Sequence, residues 1–159
     1  MTNIRLAEKA IKDIRGHAEE EYPRECCGVI TGDNVTHYVH KCINRQDELH
    51  ARDPDAHPRT SREAYAIDRG DVESIFRNAL QKGEEVIAFY HSHIDCGAYF
   101  SPMDKEVQTV FGEPEFPDAL HVVLAVFEGK VRELKGFIWN KDLQDFVTAD
   151  IKRDLSDGR

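Results

Sequence analysis

The chain has 159 residues, 40% of them hydrophobic and 32% charged, with a formal net charge of -9. That length fits one domain with a sizeable core, and the acidic balance, with Lys and Arg scattered rather than clustered, sets nucleic acid aside as a partner. No apolar run reaches the length of a membrane span, and Met1-Thr2-Asn3-Ile4-Arg5 lacks the apolar stretch of a signal peptide, so a cytoplasmic protein with no membrane contact is expected.

In chain order, Ile4, Ala7, Ile11, Ile14 and Ala18 recur at helical spacing and predict an amphipathic helix over residues 4–20, packed on a sheet. Glu25 follows beside Arg24, and taken alone it reads as a solvated acid in a charged turn. Cys27–Thr31 and Val35–Lys41 predict a hairpin turning at Gly32-Asp33-Asn34. Asn44 to Arg62 is polar, with two prolines, and reads as a long loop. Its His50 and His57, seven residues apart, read as solvated side chains rather than ligands. Tyr65–Asp68 predicts a short strand. Asp71 then caps a helix through about Gln81, with Val72, Ile75, Phe76, Ala79 and Leu80 facing inward and Gly83 ending it.

Glu85–Tyr90 reads as a buried strand that delivers His91-Ser92-His93 at its end. Residues i and i+2 of an extended segment face the same way, so both imidazoles can reach one ion. Ser101-Pro102-Met103-Asp104 is a helix start, with Ser at the N-cap and Pro at the first helical position. It places Asp104 in the first turn of a helix running to about Phe111. His91, His93 and Asp104 make a three-ligand set for a divalent metal with a fourth position left to water, the pattern by which a catalytic zinc site differs from a structural one. Each part alone has an ordinary reading, since eight histidines make a chance His-x-His unremarkable and Ser-Pro-x-Asp is a common cap. Together, after a buried strand, they point to a site.

Gly112–Asp118, with two prolines, predicts an irregular connection, and Ala119–Phe127 a central strand with His121 at its start, outside the site. Glu128-Gly129-Lys130 turns into Val131–Asn140. Phe146-Val147 adds an edge strand, and residues 150–159 form a frayed tail, so that the domain is 1–149. The four cysteines form no CxxC pair, and reduced thiols are expected, with Cys27 a small buried hydrophobe. Cys96 lies in the loop between the histidines and Ser101, as an adventitious metal contact, a redox-sensitive thiol or a plain loop residue. The pattern as a whole is α/β, a mixed sheet flanked by helices.

From Tyr22 to Trp139 the chain resembles the JAMM (MPN+, JAB-domain) zinc metalloproteases, whose motif is an upstream Glu, then His-x-His, seven residues, Ser, two residues and Asp. Here Tyr22-Pro23-Arg24-Glu25-Cys26-Cys27-Gly28 is similar to the family's Pro-x-Glu-x-Cys-Gly element, and His91-Ser92-His93, Ser101 and Asp104 complete the motif. Ile94 stands where many members have Pro. The resemblance implies a single-domain MPN fold, cytidine-deaminase-like, with Zn2+ on His91, His93 and Asp104. It implies that Glu25 takes a proton from water and passes it to the leaving amine, and that Ser101 helps hold the oxyanion, a job that competes with its capping. Ala98-Tyr99 before the Ser is similar to the compact bacterial branch, which acts on the Gly-Gly end of ubiquitin-like sulfur carriers. The implied partner is therefore a protein or peptide substrate, with Tyr99 and Phe100 as groove walls. Three rivals stay open: a non-catalytic MPN scaffold, a cell-wall or phage-tail peptide hydrolase, and a deaminase, whose His-x-Glu and Pro-Cys-x-x-Cys are both missing.

Overall fold

The computed structural model describes residues 3–154. Its elements are β1 (Asn3–Ala7), α1 (Glu8–Glu21), β2 (Cys27–Gly32), β3 (His37–Cys42), α2 (Gln46–Arg52), α3 (Arg69–Gln81), β4 (Glu85–Ile94), α4 (Pro102–Val107), β5 (Thr109–Val110), β6 (Glu113–Pro114), β7 (Leu120–Phe127), β8 (Lys130–Asn140) and β9 (Asp145–Asp154). Seven strands form one mixed sheet in the order β1-β9-β8-β7-β4-β2-β3. The pairs β1–β9 and β4–β7 are parallel and the rest antiparallel.

At its centre, β7 is apolar without interruption except for His121, and Leu120 to Val126 are all buried, as a strand covered on both faces requires. Alternation splits it. Leu120, Val122, Leu124 and Val126 join the core beneath α1, with Ile11, Ile14 and Ala18 from the helix and Ile30 and Tyr90 from the sheet. Val123 and Ala125 face the other side with Ala98, Phe100, Phe137 and Phe146. The adjacent strand β4 alternates in step, so Tyr90 turns toward α1, where its hydroxyl lies 2.7 Å from His17 Nδ1, while His91 and His93 turn away. Close approach of strand and ring explains Gly28, because a Cβ there would come within 2.5 Å of the Tyr90 ring.

Several expected elements differ. The first helix begins at Glu8, not at residue 4; Asn3–Ala7 is a strand because β9 offers it a parallel partner that helical spacing cannot reveal. The supposed loop 44–62 contains α2, whose only buried residue is Gln46 and whose sequence therefore has no apolar stripe. Asp47 and Glu48 in its first turn and Arg52 in its last complement the helix dipole instead. Tyr65–Asp68 is irregular, tied by the Arg45 N–H to the Ala66 carbonyl and by the Ala66 N–H to Asn44 Oδ1. Asp68, rather than Asp71, caps α3 by accepting the Asp71 N–H, and Phe76 and Leu80 are exposed.

The motif helix stops at Val107. A two-residue β5–β6 hairpin follows, turning through Phe111 and Gly112, both at positive φ as its tight turn requires. The expected edge strand at 146–147 is the ten-residue β9, an inner strand between β8 and β1. Of the tail expected at 150–159, Asp150–Asp154 instead pair with β1, and residues 155–159 lie outside the described residues.

Candidate active site

β4 carries His91 and His93 to the sheet's C-terminal end on the face opposite α1. The neighbouring strand β2 runs antiparallel, with Cys27 opposite His91, so that Glu25, two residues before Cys27, comes level with His93. Ser92, between the histidines, is fully buried and points the other way. Its Oγ accepts the Cys26 N–H at 2.7 Å, and its own N–H donates to the Cys26 carbonyl at 3.1 Å. The segment that holds Glu25 is thus stitched to the strand that holds the histidines.

His91 Nε2, His93 Nε2 and Asp104 Oδ2 form a nearly equilateral triangle: 3.3 Å between the two nitrogens, and 3.1 and 3.2 Å from each nitrogen to the oxygen. All three residues are buried, and among the described residues they are the group of His, Cys, Asp or Glu side chains arranged to hold a metal. Donors about 2.0–2.1 Å from a tetrahedral zinc stand roughly 3.3 Å apart, so the triangle fits the ion. The tautomer agrees as well. His93 Nδ1 lies 2.9 Å from the Gly97 carbonyl, which can only accept, so Nδ1 carries a proton and Nε2 is the nitrogen turned toward Asp104. Burial pushes the His91 imidazole below its usual range, and this ring stacks on Tyr65 at 4.5 Å between centroids.

Asp104 is placed by the start of α4. Ser101 Oγ accepts the Asp104 N–H at 3.0 Å and the Ser101 N–H donates to Asp104 Oδ2 at 2.9 Å, a reciprocal capping box. Burial alone would raise the Asp104 carboxyl, but His91, His93 and the Ser101 N–H outweigh it and hold the group far below the carboxylate range. Ser101 caps through its lone pair and keeps its hydroxyl proton, so the capping job and the donating job do not compete.

Glu25 is 5% exposed. Burial first, then the negative charge of Asp104, raises its carboxyl to about 9, with Arg59 opposing. Its backbone is fixed at both ends: its N–H donates to the Ser61 carbonyl at 2.7 Å, and its carbonyl accepts from Asn44 Nδ2 at 2.9 Å. A cleft of about 400 Å³ opens over these groups, lined by Glu25, His93, Ser101 and Asp104 and walled by Cys96 and Tyr99.

Every site residue expected from sequence therefore lies in or beside this cleft. Of the two expected groove aromatics, Tyr99 lines it, while Phe100 is buried against Phe137, Phe146 and His121 and belongs to the core. His50 Nδ1 donates to the His57 carbonyl, and neither joins the cluster. After His93, Ile94 continues β4 opposite Val126, and the turn comes one residue later at Asp95, at positive φ. Sequence reasoning passed over Ser92, Tyr65 and Asn44. For Ser92 a signal existed, since a small polar residue alternating with two ligands must face the opposite core.

Comparison with known proteins follows the same lines. The sequence pattern of the family described as prokaryotic homologs of the JAB domain matches residues 7–132. Tail tip assembly protein K of Escherichia phage N15 is 33% identical over 100 residues, 63% of this chain but 34% of that protein, so the chain spans about a third of that relative. The CysO-cysteine peptidase of Mycobacterium tuberculosis is 27% identical over 122 residues, covering 76% of this chain and 72% of the relative. The desampylase of Haloferax volcanii is 30% identical over 112 residues, covering 66% and 72%. A JAB1/MPN domain protein of Archaeoglobus fulgidus shares the fold with a TM-score of 0.51 at 14% identity, over 96% of this chain and 100% of that one. A Desulfitobacterium hafniense protein does so with a TM-score of 0.70 at 19% identity, over 98% and 95%.

Proposed function

The chain belongs to the family of prokaryotic homologs of the JAB domain, and from that premise we propose that it is a zinc-dependent peptidase or isopeptidase acting on the Gly-Gly end of a ubiquitin-like or sulfur-carrier protein. The observation that carries this reading is the donor triangle with the Glu25 carboxyl set beside it. Three buried ligand atoms packed 3.1–3.3 Å apart, with the His93 ring oriented by the Gly97 carbonyl, suit a cation between them. His91, His93 and Asp104 would hold it. Zinc in such a site supplies Lewis acidity, which polarises a carbonyl and acidifies water.

The rest of the chemistry belongs to the chain. Glu25, screened from bulk water, takes a proton from the attacking water and delivers it to the departing amine. Ser101 Oγ, its lone pair committed to the Asp104 N–H, offers its proton to the carbonyl oxygen as that oxygen gains charge. Tyr99, 52% exposed, stands at the wall of this cleft, where it would pack beside an extended Gly-Gly tail. Two relatives named a CysO-cysteine peptidase and a desampylase support this reading. The four cysteines are free thiols, which suits the cytoplasm as the proposed location. The likeness to a phage tail tip protein supports a second reading, a peptide hydrolase of the cell wall.

Elemental mass spectrometry on protein purified without added metal or chelator tests the metal, with His91→Ala alongside. About one zinc per chain, lost in the variant, is expected; failure to take up zinc even when it is supplied would turn the reading to a non-catalytic scaffold. Cleavage of a Gly-Gly-tailed carrier in preference to cell-wall peptides decides between the two substrate readings.

A further inference from the structure

One wall of the cleft plays no part in the chemistry above. It is formed by Arg59 and Arg62, in the segment that follows α2, which line the cleft together with Glu25 and Ser101. Both are exposed, and neither forms an ion pair among the described residues, although Glu63 on the same turn also lines the cleft. Unpaired arginines on a floppy loop would mean little, but this turn is pinned from three sides. Ser61, between them, is buried and gives both its N–H and its hydroxyl to the Asp47 carboxylate, at 2.7 and 2.8 Å. The Arg59 carbonyl accepts from Gln46 Nε2 at 2.9 Å, and the Ser61 carbonyl accepts the Glu25 N–H at 2.7 Å. The one buried residue of α2 and an acid of its first turn are thus spent on holding the arginine turn against the Glu25 segment.

We propose that Arg59 and Arg62 form a carboxylate subsite on the leaving-group side of the cleft, making the chain selective for removing a C-terminal residue that carries a free α-carboxylate. The inference rests on the peptidase reading and narrows its substrate class. Guanidinium is the side chain suited to it, because its planar fork meets a carboxylate through two parallel hydrogen bonds. The acids on the lining are Glu25, Glu63 and Asp104, so beyond the metal site an anionic leaving group has these two cationic side chains to go to. A volume of about 400 Å³ accommodates a short chain end rather than a branched junction between two folded proteins. In the reaction one water is consumed: the amide C–N bond breaks, the acyl carbon gains the hydroxyl and the leaving nitrogen the other proton of water; the new carboxylic acid then ionises and its proton makes the released amine an amino acid zwitterion.

The test uses one peptide ending in Gly-Gly plus a single residue, made with a free C-terminal acid and as its C-terminal amide. Zinc-loaded protein should cleave the acid with kcat/KM at least tenfold above the amide, chiefly through KM. The double substitution Arg59→Gln/Arg62→Gln should bring the ratio to about one, and Arg59→Lys/Arg62→Lys should restore part of it. Binding to the uncleaving Glu25→Gln protein supplies a second readout, in which the acid should bind at least tenfold tighter than the amide only while the arginines are present. Equal cleavage of acid and amide by the unsubstituted protein overturns the subsite and leaves the peptidase standing. Arginine-dependent binding without cleavage by the unsubstituted protein upholds the subsite and overturns the peptidase.

Discussion

Glu25 and Asp104 show how two carboxyls in one cleft are driven apart. Asp104 is surrounded by hydrogen-bond donors and stays ionised, whereas burial beside that charge raises the Glu25 carboxyl, and a dication on the three ligands would draw it back toward the ionised form that a base requires. Glu25→Gln should keep zinc at about one per chain while turnover falls by roughly 10²–10⁴-fold, the usual worth of a positioned base. Asp104→Ala should lose both, and undiminished zinc in that variant would remove Asp104 from the ligand set. His121, left outside the site, has a different task. Its ring packs on Phe89, Phe100 and Phe146, and burial lowers it from 6.5 to about 3. The folded-state value is depressed, so the stability it contributes is present above 6.5 and is lost as pH falls toward 3, by about 1.4 kcal/mol per unit once the unfolded chain is protonated. His121→Phe should flatten that acid limb in urea melts recorded across the range; an unchanged slope would assign acid sensitivity elsewhere.

Among the elements, what the sequence announced and what it concealed divide by range. The histidine pair and the Ser-Pro-Met-Asp cap were legible because each is a local pattern, complete within a few residues of strand or helix. Central β7 was legible for the same reason, as an unbroken apolar run. By contrast, α2 has no apolar stripe, and its worth lies in Asp47 reaching Ser61 and Gln46 reaching Arg59, bonds spanning fourteen and thirteen residues. Asn44 binds the carbonyls of Glu25 and Ala64 and the N–H groups of Gln46 and Ala66, a junction of three segments that spacing does not disclose. Ser92 is the sharpest such case. Ser92→Ala leaves the buried Cys26 N–H without its acceptor and should cost about 1–3 kcal/mol. Chemical denaturation measures this, and zinc affinity should weaken alongside, since the same bond sets the distance between β2 and β4.

For the whole molecule, the sheet is closed by strands from opposite ends of the described chain. Asn3 to Ala7 pair with Asp150 to Asp154, five residues against five. Ending the chain after Ala149 should therefore lower stability by about 3 kcal/mol or more, given roughly 1 kcal/mol per lost backbone hydrogen bond, and a melt with an unchanged midpoint would show that β1 needs no partner. The same pairing governs the order in which a growing chain can fold. β1 is made first and β9 last, so while synthesis proceeds β1 has no neighbour, and the flank of β8 that β9 will occupy stays an open row of donors and acceptors. Long-range closure of this kind is slow and leaves an edge free to capture another strand. Nascent chains stalled before residue 154 should accordingly be sensitive to protease and to one another until β9 has paired with both β8 and β1.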